Sequence, residues 1–342
     1  MAEYGGSLLE RSLKPLKKYY DRQGIEEVAA NREGEVWIKT SEGWKAETDP
    51  EITYKYVMSF CRFIANLTEQ KFDKDVLPVL AATLPGGHRL QAMIGPNVRY
   101  EIDDARGFCF CIRCFNKEKR FGLEDYSLQP GRNLSETEKQ QMARKRYSDT
   151  PYEDLVGAVT NGEAVLISGA TATGKTTFLN ALVDYIPDSK RIITVEDVRE
   201  VLLPNHVNRV HLVVSRTDSA NKVDYTQVLD SVVRLTPDAI ICGEISVVNS
   251  ASIYRLMTTG HANFFATIHA DSPEMALRAF WQNLVQSGVK LDAQAAIEII
   301  SSSFGRVVQI DRSSGQRIVT GVELPSMIRD VIADEAKRTP MP

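Results

Sequence analysis

The clearest chemical pattern in this chain is a glycine-rich stretch, Gly-Ala-Thr-Ala-Thr-Gly-Lys-Thr-Thr at 169–177. The spacing Gly-x-x-x-x-Gly-Lys-Thr predicts a tight loop whose backbone N–H groups surround phosphates, with Lys175 reaching the β- and γ-phosphates and Thr176 offering its hydroxyl to Mg²⁺. An apolar run at 164–168 precedes the loop and an amphipathic helix follows it, so the loop leads into a helix N-terminus that favours anions. The pattern predicts a nucleoside triphosphate as ligand. The residues expected to bind it are Gly169, Ala170, Thr171, Ala172, Thr173, Gly174, Lys175, Thr176 and Thr177.

Hydrolysis of a triphosphate also needs a metal ion and an acidic group that positions water. Glu244 ends an apolar run that starts at Asp238, and Glu196 and Asp197 end the run 191–195. Ligands of open α/β sheets bind at the carboxyl ends of strands, where these carboxylates are expected. We expect Glu244 to orient the water and expect Glu196 and Glu244, with Thr176, to bind the metal. The alternative for Glu196 or Asp197 is that it only caps a turn.

Two histidines, His261 and His269, flank the apolar run 264–268. With a pKa near 6.5, either side chain could donate a hydrogen bond to a γ-phosphate oxygen or respond to its loss. The alternative is a histidine that is hydrogen-bonded for structural reasons only.

These residues need a scaffold, and the chain from about residue 150 supplies one. Apolar runs alternate with helical stretches, which predicts an α/β domain with a largely parallel sheet. The runs are 164–168, 191–195, 239–242 and 264–268, and the helical stretches are 175–186, 225–235 and 248–258. The segments 306–311 and 316–322 are typical of a hairpin.

The first 120 residues predict a smaller α+β domain. Its expected strands are 35–39, 89–94 and 107–113, with helical or mixed structure at 57–67 and 76–84. Near the start, four residues form an apolar helical stripe: Leu9, Leu13, Leu16 and Tyr20. The stripe either covers the core of this domain or, with Lys14, Lys17 and Lys18 beside it, marks a contact with an anionic membrane surface.

A polar segment divides the two parts. Residues 122–148 contain Pro130 and Gly131, then a capping box, Ser135-x-x-Glu138, that predicts a basic helix. We therefore expect an amino-terminal domain at 1–121, a linker at 122–148 and a carboxy-terminal domain at 149–342.

Composition narrows the class of protein. The 342 residues include 41 Lys and Arg and 45 Asp and Glu, for a formal net charge of −4, which argues against strong nucleic-acid binding.

Five cysteines are too few, and odd in number, for a secreted disulfide scaffold, so we expect reduced thiols in the cytoplasm. We find no signal peptide and no apolar run of about 18 residues, and so expect no membrane span. Three nearby thiols could ligate a metal ion: Cys109, Cys111 and Cys114. Because Cys109 and Cys111 would face the same side of an alternating strand, buried thiols are favoured.

The ordered set of segments 169–177, 191–199, 234–244 and 260–270 resembles the secretion-ATPase superfamily of hexameric motors. Within that superfamily, the amino-terminal half, including Gly24–Val28 and Gly34–Ile38, is similar to the type IV secretion traffic ATPases. The resemblance covers nearly the whole chain and is strongest over 162–323.

The resemblance implies a RecA-like carboxy-terminal domain, a homohexameric ring, ATP and Mg²⁺ between the two domains, and catalytic roles for Lys175, Glu244, Glu196 and His269. Arg113 matches a family position that reaches nucleotide from the amino-terminal domain, although it could also be a surface charge. The implied partners are inner-membrane components of a bacterial type IV secretion system, with the ATPase peripheral to that membrane.

The chain departs from the family pattern at two places. Ala172-Thr173 replaces the usual Gly-Ser before the second loop glycine, and Ser246 stands where the family commonly has arginine. Two other functions remain open at this point: a helicase-like nucleic-acid motor, since RecA-like rings include helicases, and a scaffold that binds nucleotide as a switch.

Overall fold

The computed structural model describes residues 2–101, 104, 106–115, 146–214, 223–258, 263–313 and 316–329, with side chains from residue 8 onward. The elements of the first half are α1 (Ala2–Tyr20), β1 (Glu27–Ala30), β2 (Glu35–Thr40), β3 (Gly43–Thr48), α2 (Tyr54–Leu67), β4 (Val79–Thr83), β5 (Arg89–Gly95), β6 (Val98–Arg99) and β7 (Gly107–Arg113). Those of the second half are α3 (Pro151–Thr160), β8 (Val165–Ser168), α4 (Lys175–Val183), β9 (Ile192–Glu196), β10 (Arg209–Val213), α5 (Tyr225–Arg234), β11 (Ala239–Cys242), α6 (Val247–Thr258), β12 (Phe264–Ile268), α7 (Pro273–Gln286), α8 (Ala293–Ser303), β13 (Arg306–Ser313) and β14 (Gln316–Glu323).

The first half forms an antiparallel sheet in the order β3-β2-β1-β7-β5-β4. Helices α1 and α2 cover one face, and the side chain of Thr53 caps α2 by accepting from the Tyr56 N–H. The stripe of α1 packs into this core, because Leu13, Leu16 and Tyr20 are buried there. The interpretation of the stripe as a core-covering face is therefore confirmed.

The segment 76–84 was expected to be helical or mixed, and this prediction is wrong for its main part. Residues Val79–Thr83 form β4, which pairs antiparallel with β5 in the register Val79↔Met93 to Thr83↔Arg89. The apolar run is too short to show a period, so the tertiary pairing with β5 decides its structure.

The second half forms a sheet in the order β14-β13-β8-β12-β11-β9-β10-β6. The strands from β13 to β10 are parallel to their neighbours, whereas β14 and β6 are antiparallel edge strands. Helices α3 and α4 pack on one face and α5 to α8 on the other. This confirms the predicted α/β domain, its four central strands and its terminal hairpin.

The two halves share a buried interface. Arg191, at the start of β9, is fully buried; its Nη1 donates to the Oδ1 atoms of Asn31 (2.8 Å) and Asn208 (2.7 Å), and its Nε to the carbonyl of Leu235 (3.0 Å). Strand β6 of the first half also completes the edge of the second sheet. The predicted domain boundary at 121 divides the strands of the first sheet from those of the second. The exception is β6, which comes before residue 121 in the chain but belongs to the second sheet.

The linker predicted at 122–148 lies outside the described residues up to 145, as do its capping box and helix. Residues 146–148 belong to the second half, since the Tyr147 N–H donates to Asp154 Oδ1 at 2.7 Å. Within the described part of the chain, none of the helices combines the length and the apolar composition that crossing a bilayer requires.

Candidate active site

The predicted loop joins β8 to α4, as its sequence pattern requires. Gly174 precedes α4 with φ of 94°, a left-handed conformation that glycine adopts without strain. A side chain on Gly169 would lie 2.5 Å from the carbonyl oxygen of Ile310. Ala172 also has positive φ, 62°, where the family commonly has glycine, so its Cβ strains the loop. The backbone of the loop therefore lies around the N-terminus of α4, and a helix N-terminus is a position that favours phosphate.

Lys175 is the first residue of α4, and its ammonium group is held by three acceptors. Its Nζ donates to the carbonyls of Gly169 (2.8 Å) and Ala170 (2.9 Å) and lies 3.1 Å from Nδ1 of His269. Burial lowers the pKa of Lys175, and the charge of Glu244 opposes this shift. The three acceptors are neutral, so the positive charge has no full counter-charge in hydrogen-bond contact and is suited to an incoming phosphate.

His269 connects Lys175 to Glu244. Because the lysine ammonium can only donate, the Nδ1 of His269 acts as acceptor and its proton is assigned to Nε2. That Nε2 lies 3.4 Å from Oε1 of Glu244. The side chains of His269 and Glu244 are 45% and 34% exposed, so both can reach a ligand at the loop. The structure thus brings together three of the predicted catalytic residues.

Two residues that sequence reasoning missed hold the turn of Glu244. Asn249 in α6 donates from Nδ2 to the Glu244 carbonyl (2.8 Å) and accepts from the Ser246 N–H (2.9 Å). The hydroxyl of Thr267 donates to the carbonyl of Gly243 at 2.6 Å. No local pattern marks them, because each acts across the sheet or from the following helix. Ser246, in place of the family arginine, is part of this turn.

Glu196 ends β9, and its carboxylate is bound by groups of β9 and of the loop that follows it. Oε1 accepts from the N–H groups of Glu200 (2.9 Å) and Val201 (2.7 Å), and Oε2 accepts from the hydroxyl of Thr194 (3.0 Å). Burial raises the pKa of Glu196, and these hydrogen bonds oppose the shift. The geometry shows Glu196 supporting the loop after β9, and its side chain packs against Gly243, next to Glu244.

Arg113 is not near the loop of its own chain. It ends β7 and lines a cleft of about 570 Å³ together with Thr236, which precedes β11. Glu244 follows β11, so Arg113 lies near the amino end of β11, whereas Glu244 lies at its carboxyl end. His261 lies outside the described residues. Cys109 and Cys111 are buried as expected, and burial raises the pKa of each thiol to about 12.

A magnesium ion bound with a triphosphate fits this site chemically. The Thr176 hydroxyl lies at the α4 N-terminus and the Glu244 carboxylate is partly exposed beside Lys175. Hydroxyl and carboxylate oxygens, completed by phosphate oxygens and water, are the ligands that Mg²⁺ takes in such sites. Thr176 and Glu244 are therefore residues that could hold it. Both oxygens of Glu196 accept hydrogen bonds within the protein, and its role as a third metal ligand stays a prediction.

The comparisons with known proteins agree with this geometry. A family model described as "Type II/IV secretion system protein" matches residues 10–307. The chain belongs to this family. A curated relative, the type IV secretion system protein PtlH homolog of Bordetella bronchiseptica, is 28% identical over 317 residues, which cover 89% of this chain and 90% of that protein.

Another member is similar in both sequence and structure. The type IV secretion system protein VirB11 of Brucella suis biovar 1 is 28% identical over 303 residues, covering 87% of this chain and 83% of that protein. A crystal structure of the VirB11 ATPase from the Brucella suis type IV secretion system, in complex with sulphate, superposes with a TM-score of 0.80 at 27% identity, covering 94% of this chain and 99% of that one. These findings confirm the predicted resemblance to type IV secretion ATPases, the two-domain fold with a RecA-like domain, and the ATPase class.

Proposed function

We propose that this chain is a Mg²⁺-dependent ATPase that works in a homohexameric ring and powers substrate transfer or pilus assembly in a type IV secretion system. The observation that carries the proposal is the chain of contacts from Lys175 through His269 to Glu244 at the loop. Each of the three residues has a distinct task in phosphoryl transfer, and the sheet holds them at the carboxyl ends of neighbouring strands.

The residues act as follows. Phosphate oxygens replace the neutral carbonyl acceptors around Lys175, which supplies positive charge where negative charge develops. The carboxylate of Glu244 orients the attacking water, and Asn249 keeps its backbone in place. The Nε2–H of His269 donates toward Glu244 or the terminal phosphate. Mg²⁺, held by Thr176 and Glu244, would neutralise phosphate charge.

A charge-neutral substitution tests this assignment. We expect Glu244→Gln to lower kcat at least about 100-fold, because it removes the water-orienting carboxylate, while nucleotide affinity changes less than about threefold. Glu298→Gln, on an exposed position of α8, is the matched control and keeps normal turnover. Normal turnover in Glu244→Gln contradicts the proposal. Full nucleotide affinity without turnover in the assembled wild type favours a switch, and strong salt-dependent stimulation by single-stranded DNA favours a nucleic-acid motor.

The position of Arg113 supports action between subunits. Since Arg113 lies near the amino end of β11 and the phosphate loop lies at the carboxyl ends of the strands, its predicted role in stabilising transition-state charge requires the loop of a neighbouring subunit. Mixing inactive Arg113→Ala and Lys175→Ala proteins then restores part of the ATPase activity, because some interfaces combine an intact arginine with an intact loop. No recovery in mixed oligomers, with a light-scattering mass that shows assembly, contradicts this arrangement.

We also propose that the ring binds inner-membrane components of the secretion system and lies peripherally on that membrane. The exposed face of α1 carries Lys14, Lys17 and Lys18, but Lys17 lies 3.9 Å from Asp21 and Lys18 2.9 Å from Asp49. Paired lysines attract anionic lipid less than free ones, so a direct lipid contact is expected to be weak. Flotation with vesicles containing anionic lipid, compared with neutral vesicles, measures it.

A further inference from the structure

Arg317, on β14, lies directly against the second glycine of the phosphate loop. A Cβ placed on Gly174 would be 2.6 Å from Cδ, 2.8 Å from Nε and 3.4 Å from Cζ of Arg317. The bare Cα of Gly174 is therefore covered by the guanidinium end of this side chain. No sequence motif indicates the contact, because Gly174 and Arg317 are 143 positions apart in the chain.

The hairpin that carries Arg317 is fixed to the loop by the sheet. Strand β13 pairs parallel with β8, so that Gln309 is level with Ser168, the residue before the loop. The Ser168 hydroxyl and the Nε2 of Gln309 both donate to the carbonyl of Ala270 at 3.3 Å. Antiparallel pairing then places Arg317 opposite Arg312. The backbone under Arg317 is thus positioned by the same strands that position the loop.

No described residue compensates the charge of Arg317. Among the described residues, none forms a hydrogen bond or ion pair with Arg317, and its side chain is exposed. It lies beside the α4 N-terminus, where the first turn has no acidic residue. A cation and the positive end of a helix repel one another unless an anion lies between them.

We propose that Arg317 binds the phosphate chain of the nucleotide as a further ligand contact of this site. The planar guanidinium presents paired N–H donors that match phosphate oxygens, and the contact adds charge-assisted hydrogen bonds to those of the loop. Arg317 acts in ground-state binding, so it strengthens ADP and ATP binding alike and leaves the chemical step to Lys175 and Glu244. The inference rests on the proposed nucleotide site.

Binding of a fluorescent ADP analogue to the full-length protein tests the contact without turnover. We expect Arg317→Gln to raise the Kd for ADP about tenfold and to raise the KM for ATP similarly, with kcat within twofold of wild type. Arg317→Lys keeps the positive charge but loses the paired N–H donors of the guanidinium. Its Kd for ADP is therefore expected to lie between those of the wild type and Arg317→Gln. The stabilisation of the melting temperature by ADP decreases in the same order, while the melting temperature without nucleotide stays constant.

Arg312→Gln is the matched control, because it removes the same charge from the facing position of the same hairpin. We expect its Kd within twofold of wild type. A normal Kd in Arg317→Gln, with ADP still bound by the wild type, overturns the inference and leaves the proposed function intact. Equal weakening by Arg312→Gln also overturns it, since long-range charge would then explain both. Wild-type protein that binds no ADP overturns the inference and the proposed function together.

Discussion

Lys175 and Arg306 are both buried cations, but their partners differ. Lys175 follows the loop after β8, and Arg306 begins β13, the strand that pairs with β8. Lys175 is held by two backbone carbonyls and a histidine. Arg306 donates to both oxygens of the fully buried Asp154 (2.8 and 2.7 Å), and to Glu163 at 3.0 Å. Tyr147 lies over its guanidinium at 5.7 Å. The comparison shows how one domain uses a permanently paired charge for stability and a charge with neutral partners for a ligand.

Breaking the paired charge is expected to have the largest effect. Arg306→Met leaves Asp154 buried with Arg146 as its remaining cation, so we expect about 3–5 kcal/mol lower free energy of unfolding. Urea denaturation measures the loss. Turnover per folded molecule is expected to stay near normal, because the side chains described as binding Arg306, those of Asp154, Glu163 and Tyr147, do not belong to the phosphate loop. A loss below about 1 kcal/mol would contradict the pairing as a source of stability.

Removing the other cation reverses this pattern. Lys175→Ala is expected to lower kcat by at least about 100-fold, because its charge is required where phosphate charge develops. The free energy of unfolding changes by about 1 kcal/mol or less, since only neutral acceptors lose a donor. Phosphate release and urea denaturation on the same preparation separate the two effects. A large loss of stability would show that Lys175 is a structural cation like Arg306.

The pH dependence sharpens the comparison at Asp154. Burial raises the pKa of its carboxyl, but the hydrogen bonds from Arg306 and from the Tyr147 N–H outweigh burial, so the pKa lies below its usual value. A carboxyl with a lower pKa in the folded state stabilises the fold above its unfolded pKa of about 3.9 and loses that contribution as the pH falls further. The difference in stability between wild type and Asp154→Asn therefore shrinks below about pH 4. An equal difference at pH 3 and pH 7 would refute this.

The smallest expected effect lies in the phosphate loop itself. Ala172→Gly removes the Cβ that strains a backbone with φ of 62°, so we expect about 1 kcal/mol higher free energy of unfolding. The loop keeps its ligand contacts, and nucleotide affinity stays within about twofold. Thr171→Gly is the control at a neighbouring loop position without positive φ, and it gives no such gain.

The sequence predicted those parts of the site that local order determines. Lys175 and Thr176 follow from a strand, a glycine-rich loop and a helix that are continuous in the chain, and Glu244 follows from a carboxylate at the end of an apolar run. Contacts between residues far apart in the chain leave no such local pattern in the sequence. Arg317 reaches the loop from β14, and Asn249 supports Glu244 from the following helix, so each depends on the order of strands and helices in space.

The same distinction explains the wrong prediction for residues 76–84 and the strand β6 that the sequence did not indicate. Short segments such as Val79–Thr83 have no readable period, and the two residues of β6 form a strand only because the edge of β10 is beside them. The resemblance implies that Arg113 reaches nucleotide; the first sheet places it beside Thr236, before β11, so this role stays a prediction that involves a neighbouring subunit. Glu196 ends the expected strand, and its carboxylate accepts hydrogen bonds from Thr194 and from the backbone of the next loop, which the sequence pattern did not indicate. Its predicted catalytic role stays a prediction.

The pairing of β6 with β10 has a practical consequence for dissecting the molecule. Val98 and Arg99 cover the outer edge of the strand that carries His211, and the backbone N–H of Val213 donates to the Asn97 carbonyl at 2.9 Å. A fragment that starts at residue 149 would uncover this row of backbone donors and acceptors, inviting strand addition between molecules and aggregation. Expressing the second half alone would therefore expose the edge of β10 that Val98 and Arg99 cover in the whole chain.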